Sequence, residues 1–280
     1  MKQLARQYPV ISFFVLTLVW SSLVWLIIFP TFHISPTSGT DWFWLGECAP
    51  GLAAIVLAGL AYGGKGIIQL MKPILYWRVH PFYYYLVIVL VACFYLAAIG
   101  ATALQGHAVP TLAALYPKEY FGFLRMKFYG LAMIPVFTLL YYFCEELGWR
   151  GYALPHLMQR VDAFTAAIII GIAWSLFHLP LMNFYVLIAH PMSFVLYTVS
   201  TIMSSLFLTW LYLKTNSSLL LVSLAHGLTD LYGAFSPSII SSLGQGESEL
   251  VILLRFLFFL PIFILLFQNR TRFQIPLNAS

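Results

Sequence analysis

AFTAAIIIGIAWSLFHLPLM, residues 163–182, decides the fold. Its twenty positions hold no Asp, Glu, Lys or Arg, and a helix of about 20 residues just crosses the hydrocarbon core of a bilayer. Apolar stretches of the same kind flank it at roughly 8–32, 42–62, 81–104, 128–147, 192–213, 217–235 and 250–267. The composition of the whole chain agrees. Of 280 residues, 61% are hydrophobic and 8% charged, with a mean hydropathy of +0.89, which excludes an ordinary soluble fold. The fold class is therefore all-α: a polytopic membrane bundle of about eight transmembrane helices, forming a single integral membrane domain over 1–280.

The 14 Lys and Arg outnumber the 9 Asp and Glu for a net charge of +5. On an apolar chain such an excess reports cytoplasmic loops and anionic membrane lipid, and nucleic acid is not an expected partner. With the N-terminus inside, Lys2, Arg6, Lys65, Lys72, Arg78, Arg150, Arg160, Lys214, Arg270 and Arg272 fall on the cytoplasmic side. Lys118, Arg125 and Lys127 fall outside, so the loop charges place both termini in the cytoplasm. The first apolar stretch is longer than a signal-peptide core and lacks a clear A-x-A site, which makes it a retained helix. Gly64 to His80, GKGIIQLMKPILYWRVH, mixes basic and apolar residues and is expected to lie at the membrane interface. Cys48, Cys93 and Cys144 are odd in number and widely spaced, so neither a disulfide framework nor a zinc motif is expected.

Ionisable groups inside apolar helices are costly, so their distribution is informative. The first, third and sixth stretches hold no charged residue or histidine, whereas Glu145, Glu146 and Arg150 end or extend the fourth. His178 lies in the fifth, and His226 and Asp230 in the seventh. Adjacent helical residues point about 100° apart, and i,i+4 spacing pairs Glu146 with Arg150 as a structural ion pair. Glu145 then faces another surface, free for general-base work. His226 and Asp230 also stand i,i+4, with imidazole and carboxylate on one helix face. Taken singly, each feature has a structural reading: a charged cluster at a helix end, a satisfied histidine, a His–Asp bond pinning two helices.

Together these residues resemble the CAAX protease and bacteriocin-processing family (CPBP, or Abi proteins), intramembrane proteases that include the Ras-converting prenyl endopeptidase. Glu145, Glu146 and Arg150 match its EExxxR motif. His178 matches FxxxH with Trp174 in place of phenylalanine, and His226 and Asp230 match HxxxN/D. The resemblance runs from about residue 60 to 235, the protease-like core. It implies an endopeptidase in a bacterial cytoplasmic membrane, acting on a peptide or protein substrate that is lipidated in the eukaryotic relatives. Carried over by position, Glu145 and His178 would activate a water, and His226 with Asp230 would stabilise the oxyanion. An ionised Asp230 cannot donate to an oxyanion as asparagine could, so it is protonated, or orients His226, or helps hold a metal.

Glu145, His178, His226 and Asp230 form an O/N ligand set for a divalent metal such as zinc, though no cofactor is certain and no HExxH is present. GxSxG and GxGD motifs are also lacking. If the fourth helix ended at 147, Glu145 could not reach His178. The site therefore requires that helix to run through Gly148 to about Leu154, with Pro155 ending it. Buried Glu, His and Asp would also serve a proton-coupled transporter or a non-catalytic scaffold, but carriers usually show internal repeats, and none is visible here.

Overall fold

The computed structural model describes residues 2–34, 43–104, 134–181, 191–235, 260–261 and 263–268, and among these it is helical with no strand. A short α1 (Lys2–Gln7) leads into α2 (Pro9–Thr31), which contains a π-helical turn at Leu23–Ile28. The second apolar stretch forms two pieces, α3 (Phe43–Glu47) and α4 (Ala49–Tyr62), where Pro50 in the first turn of α4 cannot supply an amide hydrogen to the preceding helix. Gly63 ends α4 with a φ of 67°, a conformation that costs glycine nothing, and α5 (Gly64–Met71) follows. Next come α6 (Pro81–Leu104), α7 over 134–157, α8 (Ala163–His178), α9 (Pro191–Lys214) and α10 (Leu219–Phe235).

Among the described residues, three helices are long and apolar enough to cross a membrane: Pro9–Thr31, Ala163–Leu181 and Phe194–Lys214. Shorter apolar helices lie at Ala49–Tyr62, Pro81–Cys93 and Leu219–Asp230. Together they make an all-α membrane helical bundle. The expected eighth span, 250–267, falls largely outside the described residues. Outward-facing apolar side chains suit lipid: on α2, Ile11, Val15, Val19, Leu26 and Ile27 are exposed while Phe13 and Trp25 are buried. On α5, Leu70 is buried and Ile68 is exposed beside Lys65.

Lipid tails are as apolar as the helices, so association relies on close packing and polar contacts. Along α8 and α9, Thr201 Oγ1 donates to the Gly171 carbonyl at 2.9 Å and Ser205 Oγ to the Ala167 carbonyl at 2.7 Å. A Cβ on Gly171 would stand 2.5 Å from the Ile202 Cα. Asp162 caps α8, accepting from the amides of Phe164 and Thr165 at 3.0 and 3.1 Å. The crossing of α4 and α7 is equally tight. A Cβ on Gly148 would lie 2.5 Å from the Pro50 carbonyl, and one on Gly51 would collide with the Phe143 carbonyl oxygen.

The path of α7 brings the site together. It is continuous from 134 to 157, with π-helical turns at Tyr142–Glu146 and Trp149–Ala153, so the expected extension past Gly148 is present. Pro155 does not end it: the proline sits in the last turn, Leu154–Leu157, following the second π-turn. Two further expectations are corrected. Cys48 and Cys144 are joined by a disulfide between the α3/α4 junction and α7, a pairing that their sequence separation of 96 residues concealed. Arg150 is fully buried and so does not count as a loop charge, which leaves the other nine of the ten assigned to the cytoplasmic side.

Candidate active site

Every singled-out residue lies in one region between α3, α7, α8 and α10. The first π-turn of α7 carries Glu145 and Glu146, which are 1% and 0% exposed, and the second carries Arg150. Such turns are rare, and they concentrate at functional sites because they shift the direction of neighbouring side chains.

Glu146 is the hub of one half. Its Oε1 accepts from Arg150 Nη1 at 2.7 Å and lies 2.7 Å from His226 Nδ1. On the other side of the ring, His226 Nε2 stands 3.2 Å from Asp230 Oδ2, so both ring nitrogens face carboxylate oxygens. The ring is clamped by aromatics: Tyr141 lies over it at 4.3 Å between centroids, and Trp174 meets it edge-on at 4.8 Å. Trp174 also receives the guanidinium of Arg150 at 5.3 Å, a cation–π contact for a group whose Nε and Nη2 have no hydrogen-bond partner. The tryptophan replacing phenylalanine in the histidine motif thus touches two members of the Glu146 network as well as packing beside His178.

The other half centres on His178. Its Nδ1 faces the Trp174 carbonyl at 3.1 Å and its Nε2 faces Glu47 Oε1 at 3.3 Å. Glu145 Oε2 accepts from Trp149 Nε1 at 3.1 Å, which fixes the carboxylate within the bundle. Glu47, Glu145 and His178 each present one oxygen or nitrogen, and all three atoms lie within 4.8 Å of one another. Trp25 of α2 stacks along His178 at 6.2 Å, and Phe177 packs against Trp25 and Trp149, which closes this side with aromatic rings.

The structure therefore brings Glu145 and His178 together, as the motifs required, and pairs Glu146 with Arg150 and His226 with Asp230. It groups the ligand atoms differently from the set Glu145, His178, His226 and Asp230. Glu47 stands with Glu145 and His178, whereas His226 is turned between Glu146 and Asp230. Asp230, with a side chain 45% exposed, is the open member of an otherwise buried constellation. Glu47 escaped notice in the sequence, although it is the one charged residue within stretch 42–62 and is 2% exposed.

Carboxylates and histidines from separate helices are thus enclosed in an all-α membrane bundle, and comparison with known proteins adds a likeness to this geometry. Residues 127–232, the segment carrying all three motifs, match the model of the Type II CAAX prenyl endopeptidase Rce1-like family. Over 96 residues the chain is 38% identical to CAAX prenyl protease 2 of Methanococcus maripaludis, covering 31% of this chain and 34% of that protein. The aligned part thus spans about a third of the relative's length.

Proposed function

We propose that this protein is an intramembrane endopeptidase that hydrolyses a peptide bond with a water activated by Glu145 and His178. The observation that carries the reading is the convergence of Glu145 and His178, from two different helices, inside the segment that matches the Rce1-like family. Glu145 takes the proton of the water as it attacks the scissile carbonyl, and Trp149 Nε1 holds the carboxylate in place meanwhile. His178 holds the same water, and the proton taken up by Glu145 passes to the leaving amine as the peptide bond breaks. A divalent ion held by the clustered carboxylates and imidazole would supply Lewis-acid polarisation of the carbonyl.

His226 is the candidate oxyanion donor, fixed by Glu146 on one ring nitrogen and by Asp230 on the other. In this geometry Asp230 orients the ring. Asp230→Asn is expected to leave the protein folded and to lower the hydrolysis rate roughly ten-fold or more, as loss of an orienting carboxylate does at such sites. Unchanged or raised activity would instead make residue 230 a direct donor to the oxyanion.

The relative's name, CAAX prenyl protease 2, supports a prenylated CAAX-type protein or peptide at the membrane as the substrate. Detergent-solubilised protein given matched farnesylated and unmodified CAAX-type peptides tests this by mass spectrometry of the products. Preferential cleavage of the farnesylated peptide supports the assignment, and equal cleavage of both removes the lipid from it.

We further propose that the chain is a multi-pass protein of the bacterial cytoplasmic membrane with both termini inside, on the strength of its apolar helices and its loop charges. A cysteine introduced at position 245 should react with an impermeant reagent on intact cells, and one beside Lys214 should not. The reverse pattern would invert the topology.

A further inference from the structure

The segment that joins α5 to α6 and the turn that joins α9 to α10 enclose a cavity of about 660 Å³, within the roughly 300–1,000 Å³ usual for small-molecule sites. None of its lining residues belongs to the candidate active site. Arg78, His80 and Lys214, all exposed, line it with Tyr76, Trp77 and Tyr83, and among the described residues no carboxylate does. The Arg78 guanidinium lies over the Trp77 ring at 5.2 Å. His80 Nδ1 accepts the Phe82 amide at 3.3 Å, so the ring carries its hydrogen on Nε2 and can donate it to a ligand. Two cations and a donor in a wall without a carboxylate select an anion.

The cavity sits where apolar helices end. Lys214 is the last residue of the span Phe194–Lys214, and His80 directly precedes the apolar helix that begins at Pro81. Leu75, Tyr76 and Trp77 are exposed beside it, as are Phe82 and Tyr85 at the start of α6. Amphipathic rings among basic side chains mark the headgroup level of a bilayer, and basic pockets between helices at that level take lipid phosphates. A soluble anion would leave those rings in water, whereas a lipid covers them with its glycerol and upper acyl chains. The walls are also fixed before a ligand arrives. Tyr84 Oη donates to the Trp77 carbonyl at 2.6 Å and Ser218 Oγ to the Tyr76 carbonyl at 2.5 Å, so α6 and the start of α10 both hold the segment that carries Arg78. After Lys214 the chain turns through Asn216 and Ser217 at φ of 50° and 64°. Non-glycine residues rarely adopt that left-handed region, and such positions cluster at ligand sites.

We propose that this cavity binds the phosphate of one anionic phospholipid headgroup, with Arg78 and Lys214 pairing with the phosphate oxygens and His80 Nε2 donating to one of them. Tyr76 and Trp77 then pack on the glycerol and the upper acyl chains. The site uses no residue of the proposed catalytic machinery, so its occupancy does not depend on the peptidase reading.

The test is native mass spectrometry of the purified, delipidated full chain in a neutral detergent. It is titrated separately with phosphatidylglycerol, with phosphatidylcholine and with glycerol 3-phosphate, the soluble headgroup. Wild type should retain one phosphatidylglycerol per chain and hold it roughly ten-fold more tightly than phosphatidylcholine, with no comparable uptake of glycerol 3-phosphate. Arg78→Gln and Lys214→Gln should each weaken phosphatidylglycerol binding about five-fold, and together roughly twenty-fold. Lys65→Gln, at an exposed lysine of α5 outside the cavity, should change it by less than about two-fold. Should the double variant fail to fold, the comparison of Arg78→Gln with Lys65→Gln decides. Equal binding of the two lipids, or a loss in Lys65→Gln as large as that in Arg78→Gln, would reduce the cavity to a general basic surface and overturn the proposal. Glycerol 3-phosphate bound as tightly as the lipid would overturn it too, and leave a site for a soluble phosphate.

Discussion

Glu145→Ala is expected to lower peptide hydrolysis by about 10²–10⁴-fold, the range supplied by a positioned general base, while the protein still folds. The reason lies in how Glu145 is held. Trp149 Nε1 donates to it from one turn onward, but it carries no share of the Glu146–Arg150–His226 network that ties α7 to α10. Removing it takes away a reacting group and one hydrogen bond, and relieves the bundle of a buried carboxylate beside Glu47. Size-exclusion chromatography and thermal unfolding of the variant separate a dead enzyme from a misfolded one. A Glu145→Ala protein that is folded and active would assign the base elsewhere.

Glu146→Ala should do the opposite and destabilise the fold by about 3–5 kcal/mol, the usual cost of breaking a buried ion pair by deleting one partner. Against a total stability of about 5–15 kcal/mol, such a loss depletes folded protein from the membrane. The structure makes this variant more damaging than Arg150→Ala. Without Glu146, both the Arg150 guanidinium and the His226 Nδ1 lose their 2.7 Å partner, whereas without Arg150 the Glu146 carboxylate still has His226. The yield of folded protein and its unfolding temperature should rank wild type above Arg150→Ala, and Arg150→Ala above Glu146→Ala. A stable but inactive Glu146→Ala, together with an active Glu145→Ala, would exchange the roles of the two glutamates.

What could be read from the sequence and what could not divides along contact range. The Glu146–Arg150 and His226–Asp230 pairs follow from i,i+4 spacing within one helix, and the structure contains both. The requirement that α7 pass Gly148 followed from the need to bring Glu145 to His178, and the helix does so. Contacts made by helix packing left no trace in local spacing. The Glu146–His226 bond spans 80 positions and the Cys48–Cys144 link 96. The π-turns, which set where Glu145 and Glu146 point, also have no signature in apolar periodicity. Glu47 was legible in principle, since a lone carboxylate in an apolar stretch is costly and asks for a partner, here His178.

The close approach of α4 to α7 explains how one carboxylate can lie so near another. Gly51 and Gly148 let the two backbones touch, so the residues that precede and follow the crossing are fixed relative to each other. Packing by small residues is the means available to helices that gain nothing from hiding apolar surface from lipid.

The most direct test of the account is a comparison of purified wild type and Glu145→Ala on farnesylated CAAX-type peptides, with new peptide termini identified by mass spectrometry. The account predicts internal cleavage by wild type and its loss in a Glu145→Ala protein of unchanged folded yield. Absence of cleavage by folded wild type, or equal cleavage by both proteins, would contradict it.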